Sequence, residues 1–117
     1  MHQRRTTTYG KLVRDRIPEI IEAEGLTAGV RVLDERQVVP ALVAKLAEEA
    51  EELRQAGPDD RLGELADLHE VLAALAGALG FSDEQVREAA RRKRAERGGF
   101  GRRLWLDEVT SPGESDG

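Results

Sequence analysis

The sequence predicts an all-α fold, and three observations carry that prediction. Apolar residues recur at helical spacing, two capping-box patterns open helices, and aromatic residues make up only 3% of the 117-residue chain. A core with so few rings must be filled by Leu, Val, Ile and Ala, which suits packed helices better than a β-sandwich. The expected architecture is a helical hairpin with two flanking helices, dimerising into a four-helix-bundle core.

The first helix falls between Tyr9 and Gly25. Pro18 sits in its opening turn, where a missing N–H costs nothing, and Gly25 stops it. Ile17, Ile20 and Ile21 give it one apolar side. Asp34 and Gln37 form a capping box at the head of the second helix, which runs to about Ala56. Pro40 lies inside that span, so a kink or a later start is expected.

Gly57-Pro58-Asp59-Asp60 reads as a stop, a turn and a restart, with an Asp to cap the helix that follows. The third helix runs from about Arg61 to Leu79 and ends at Gly80. Ser82 and Gln85 make a second capping box for the last helix, which Gly98-Gly99 ends. Phe100 to Leu106 is extended or coiled. Residues 1–8 and 107–117 are polar and read as mobile ends around one domain over 9–106.

Composition narrows the function. No Cys is present, which excludes a disulfide framework, a zinc–thiolate site and a Cys nucleophile. No apolar run approaches the ~20 residues of a membrane span, and the start lacks the apolar stretch of a signal peptide. A cytoplasmic protein is the expectation. The net charge of −5 is unevenly spread. Residues 34–70 hold eleven acids against four bases, whereas residues 91–103 hold seven bases against Glu96. One basic segment does not imply nucleic-acid binding, so no nucleic-acid partner is expected.

At about 100° per residue, Val39, Leu42, Val43, Leu46, Ala50 and Leu53 share one sector of the second helix. Glu49 falls about 60° from the centre of that sector on the same projection, with Glu52 a step further round and Glu48 and Glu51 beyond it. In the third helix the sector is Leu62, Leu65, Leu68, Leu72, Leu75 and Leu79, with Glu64 and Asp67 on one flank. Folding at Gly57–Asp60 sets Glu49 level with Asp67 and Glu52 level with Glu64. Helix axes roughly 8–10 Å apart let those side chains reach a shared point. Carboxylates so gathered repel, and a hard divalent cation, magnesium or manganese, relieves them. The plain alternative is that Glu48-Glu49-Ala50-Glu51-Glu52 is a solvated helix face.

These residues also resemble a family. Lys45-Leu46-Ala47-Glu48-Glu49-Ala50-Glu51-Glu52-Leu53 followed by Glu64-Leu65-Ala66-Asp67 is similar to the EExxE…ExxD signature of the all-alpha NTP pyrophosphatase superfamily, which includes MazG-like and phosphoribosyl-ATP pyrophosphohydrolase groups. Tyr9 to Ile21 resembles the YxKLVRDKIPEII opening of a MazG-like house-cleaning branch, and Arg97-Gly98-Gly99-Phe100 resembles its RGGF. The resemblance implies hydrolysis of a nucleoside triphosphate between the α- and β-phosphates. It implies Glu49, Glu52, Glu64 and Asp67 as Mg2+ ligands (Mn2+ being the alternative ion). It leaves Glu48 to support a second ion or to orient the attacking water.

Lys93 shares a face of the last helix with Val86, Ala89 and Ala90, where a lysine either snorkels or meets an anion. Together with Lys11, Arg14 and Arg97 it is expected on the phosphates, although Arg14 and Asp15 could instead form a structural ion pair. His69 more plausibly packs or faces solvent than catalyses. Tyr9, Phe100 and Trp105 could stack on a base, but core or interface is the commoner place for scarce aromatics. An apolar flank left uncovered by two short helices implies a homodimer with the active site near its interface. Two other readings stand beside this one: phosphoribosyl-ATP pyrophosphohydrolase, and a non-catalytic helical dimer or binding module.

Overall fold

Four α-helices account for the regular structure in a computed structural model that describes residues 4–113. They are α1 (Ile17–Ala23), α2 (Glu35–Gln55), α3 (Arg61–Ala78) and α4 (Asp83–Arg97), with no strand among the described residues. The chain forms two compact units, the first ending at Asp83 and the second starting at Glu84. The expected mobile ends lie partly outside the described residues. Residues 4–8 and 107–113, which are described, hold no helix and are exposed.

In the first unit, α2 opens as its sequence dictates. The Asp34 carboxylate accepts from the Arg36 N–H at 3.0 Å, and the Gln37 side chain accepts from the Asp34 N–H at 3.1 Å. With both ends of that box closed, the helix starts at Glu35 and runs unbroken past Pro40. The later start that Pro40 suggested is not taken. Its missing N–H forfeits one bond near an exposed helix end, a loss that the capping box helps to offset. Asp60 holds the N-cap position of α3 but its side chain makes no capping bond, contrary to expectation. Helix α3 closes at Gly80, whose φ of 86° only glycine adopts without strain; the Phe81 N–H returns to the Ala76 carbonyl at 2.8 Å.

Helices α2 and α3 pack against each other, and the turn at 57–60 makes them a hairpin. On α2 the inward stripe is Leu42, Leu46, Glu49 and Leu53, continued by Ala56 at the C-cap, all buried or half-buried at alternating spacings of four and three. On α3 it is Glu64, Leu68, Val71 and Leu75. The leucine sector expected on α3 therefore does not face α2 as a whole. Leu62, Leu65, Leu72 and Leu79 are exposed, Leu62 to 79%. The physical reason is that α3 is apolar on two sides, and α2, which packs against it in this unit, covers one of them. Val43 of α2 is likewise exposed.

The second unit carries α4 from Glu84 onward and a tail without regular structure. No residue of α4 is buried. Phe100 and Trp105 are exposed at 97% and 87%, so the aromatics of this unit fill no core. Among the described residues, no single helix is long and apolar enough to cross a membrane.

Two substitutions test this packing. Leu42→Ala removes one of the two buried apolar side chains among the described residues, and should cost about 2–5 kcal/mol in urea unfolding. Asp34→Ala should cost about 1 kcal/mol, the usual value of a lost N-cap.

Candidate metal centre

Each acid of the centre owes its place to the hairpin stripes. Glu49 and Glu64 occupy positions at which the four-three spacing otherwise puts Leu, Val or Ala. Glu49 is buried, with only 6% of its surface exposed, and Glu64 and Asp67 are half-buried. Carboxylate oxygens of Glu49, Glu64 and Asp67 lie within 4.8 Å of one another. A second group, Glu48, Glu49 and Glu52, meets the same limit along α2 and shares Glu49 with the first. The order round α2 differs from the helical projection. Glu48 is half-buried and drawn into the site, while Glu52 is exposed. Glu51 points away, bound by Arg54 at 2.7 Å and by the Gln55 side chain at 2.8 Å.

Basic side chains reach these acids from two directions. Lys45, one turn before them on α2, sets its ammonium 3.4 Å from Glu48 Oε1 and 3.4 Å from Glu49 Oε1. Residues 9–16, ahead of α1, supply the others. Lys11 Nζ lies 3.3 Å from Glu48 Oε1, and the Arg14 guanidinium donates to Asp67 at 2.7 Å. The ion pair of Arg14 thus crosses the unit to α3. Lys11 also approaches the Tyr9 ring at 5.7 Å, a cation–π contact of an exposed tyrosine. Lys11 and Arg14 therefore sit at the acids, whereas Lys93 and Arg97 are exposed on α4 in the other unit. Sequence reasoning named Lys11 and Arg14 but passed over Lys45. The available signal was its spacing: a lysine at i−3 from Glu48 and i−4 from Glu49.

The electrostatics divide the acids into two kinds. Burial first, and then the neighbouring Glu52 carboxylate, push the Glu49 carboxyl above its ordinary value, and Lys45 only partly opposes them. Burial also works to raise Glu48, but the bonds and charges of Lys11 and Lys45 outweigh it and hold that carboxyl below its ordinary value. Two buried oxygens, Glu49 Oε2 and Glu64 Oε2, have no hydrogen-bond partner. A buried carboxylate oxygen without a donor is costly. The all-oxygen donor set and the orphaned oxygens fit a hard divalent cation such as Mg2+ or Mn2+.

Beside the acids a cavity of about 430 Å³ opens at the tip of the hairpin, lined by Glu52, Gln55, Ala56, Asp59, Asp60, Gly63 and Glu64. It shares Glu52 and Glu64 with the acidic side chains of the centre. Its walls are rich in acceptors, and its only side-chain N–H donor is the Gln55 amide.

A stretch of 50 residues, 43% of this chain, is 52% identical to an uncharacterized protein of Mycolicibacterium smegmatis and spans 51% of that protein's length. The chain thus matches about half the length of this relative. No family model matches the chain. No solved structure matches it either.

Because folding raises the Glu49 pKa, the folded metal-free chain retains a proton that the unfolded chain has released. Stability therefore falls as pH rises from the ordinary carboxylate value of 4.5 towards the raised one. Glu48 acts in the opposite sense: its stabilisation is present at neutral pH and fades as the solution is acidified. In EDTA, Glu49→Gln should melt at a higher temperature than the wild type at pH 7, and the gap should narrow as pH falls to about 4.5. Thermal melts followed by circular dichroism read this out. A variant no more stable than the wild type at pH 7 would contradict the electrostatic account.

Proposed function

We propose that this chain is a Mg2+-dependent nucleoside triphosphate pyrophosphohydrolase of the house-cleaning kind, converting a triphosphate and water to a monophosphate and pyrophosphate. One observation supports it above the others: the buried Glu49 carboxylate and the half-buried Glu64 meet Asp67 at the hairpin interface, with one buried oxygen on each glutamate lacking any donor. Apolar side chains at those positions would pack better, so the acids there need a cationic purpose. The resemblance of these motifs and of the Tyr9–Ile21 opening to the all-alpha NTP pyrophosphatases supplies the reaction.

In this reading Glu49, Glu64 and Asp67 would hold the cation, with Glu52 in the adjoining group on α2. When bound, Mg2+ clamps phosphate oxygens, offsets their charge and makes a coordinated water more acidic. The residues of the chain do the rest. Glu48 is held ionised by Lys11 and Lys45, which suits it to accept a hydrogen bond from the attacking water and to orient it. A carboxylate with a depressed pKa is a weak base, so orientation rather than full proton abstraction is its part. Arg14 and Lys11 add fixed positive charge beside the acids, where a polyphosphate would otherwise meet only negative charge. The reading rests on the first unit alone.

The same reading includes a homodimer. Leu62, Leu65, Leu72 and Leu79 form an exposed stripe along α3 and its C-cap, and among the described residues only Leu42 and Val71 are buried apolar residues. So thin a core is a reason for association, since small chains bury a small share of their surface. Two hairpins packed through these stripes would make a four-helix core.

A panel of standard and modified dNTPs and NTPs with Mg2+, assayed for pyrophosphate rather than free phosphate, tests the activity. At least one member should turn over, and Asp67→Asn should lower its kcat/KM by more than the ~100-fold that outer-shell changes around a metal cost. No turnover across the panel would refute the reading. Sedimentation should give a dimer, and a monomer at all concentrations would refute that part.

A further inference from the structure

The two acid groups at the hairpin share Glu49, and the two oxygens of that carboxylate have different surroundings. Oε1 faces the Lys45 ammonium at 3.4 Å, while Oε2 is buried without a partner. Glu49 is more than nine-tenths buried, and Glu64 Oε2, across the interface, is also without a donor. One side of Glu49 is thus already neutralised from within the chain, and the other is not.

The neutralised side is the Glu48–Glu49–Glu52 group. Lys45 stands 3.4 Å from an oxygen of both Glu48 and Glu49, and Lys11 adds a second ammonium at 3.3 Å from Glu48. Only 15% of the Lys45 side chain is exposed, so its stem is packed and its head is held over the two acids. A divalent ion placed in that group would lie against a fixed ammonium and compete with it for the same oxygens. The Glu49–Glu64–Asp67 group carries the Arg14 guanidinium on Asp67 Oδ1 at 2.7 Å, but its two orphaned oxygens, on Glu49 and Glu64, have no hydrogen-bond partner.

We infer that the centre takes a single divalent cation, on Glu49, Glu64 and Asp67, and that the Lys45 ammonium fills the neighbouring position that a second ion would need. This deepens the proposed function and rests on it for the first ion. Lys45 is then a positioning residue. It fixes the α2 acids, keeps Glu48 free of metal, and sets the number of ions that a bound polyphosphate meets.

Counting ions tests this without recourse to activity. Equilibrium dialysis of the full chain against Mn2+ should give one ion per chain. Electron paramagnetic resonance of the same sample should lack the spin coupling of two Mn2+ ions sharing a carboxylate. Lys45→Gln should raise the count to two and bring in the coupled signal, and Lys45→Arg, which keeps the charge, should return it to one. Two ions on the wild type, or a coupled signal from it, would overturn the inference while leaving the metal centre standing, and this holds even if Lys45→Gln does not fold. A folded Lys45→Gln that still binds one ion would overturn it as well. No Mn2+ on the wild type would bring down the metal reading itself.

Discussion

The arrangement of the first unit depends on a carboxylate being where a hydrophobic side chain would pack better. Glu49 and Glu64 take up core positions in the helix pair α2 and α3, which packs closely in that unit. Each such acid trades apolar contact for a charge that must be desolvated, and two of them meet across one interface. Much else nearby answers that demand. Lys45 lies along the helix beneath its acids, and residues 9–16 cross to α2 and α3 to bring Lys11 and Arg14 to Glu48 and Asp67. The ion pairs are partly exposed and contribute little stability apiece. Their effect is to hold the acids in register.

That answer is incomplete in an orderly way. The basic side chains satisfy the outer oxygens, those of Glu48 and Asp67 and one of Glu49, and leave the innermost oxygens of Glu49 and Glu64 without donors. A structural salt-bridge network would be expected to close on its buried members first, since those are the costly ones. Here the least solvated atoms are the ones left open. This inversion separates the centre from a solvated acidic face.

Much of this was legible in the sequence because helical periodicity and hairpin geometry are local. The four-three spacing, the Asp34 box and the break at Gly57-Pro58 are enough to place α2 and α3 and to align Glu49 with the α3 acids. What escaped was rotation about the helix axis. A sector drawn through every apolar residue of α3 centres on leucines that face outward, because α3 carries two apolar stripes and the pattern does not say which one α2 covers. The same projection set Glu52 nearer the apolar sector than Glu48, whereas Glu48 is half-buried and Glu52 exposed. Lys45 was passed over because a lysine beside a run of glutamates reads as surface, and only packing shows its side chain to be 15% exposed. The reach of Arg14 to Asp67 joins residues 53 apart in sequence, and no local rule finds it.

The turn at 57–60 has a consequence for the order in which the centre is built. The acids of α2 and α3 belong to one hairpin, so Glu49 lies 15 positions from Glu64 and 18 from Asp67, while Lys11 lies 37 positions from Glu48. Loop-closure entropy grows with separation, and contacts of short range form sooner. As the chain collapses, the carboxylates therefore meet before the strap that neutralises them arrives. In that interval Lys45, carried on the same helix, is the cation that travels with them.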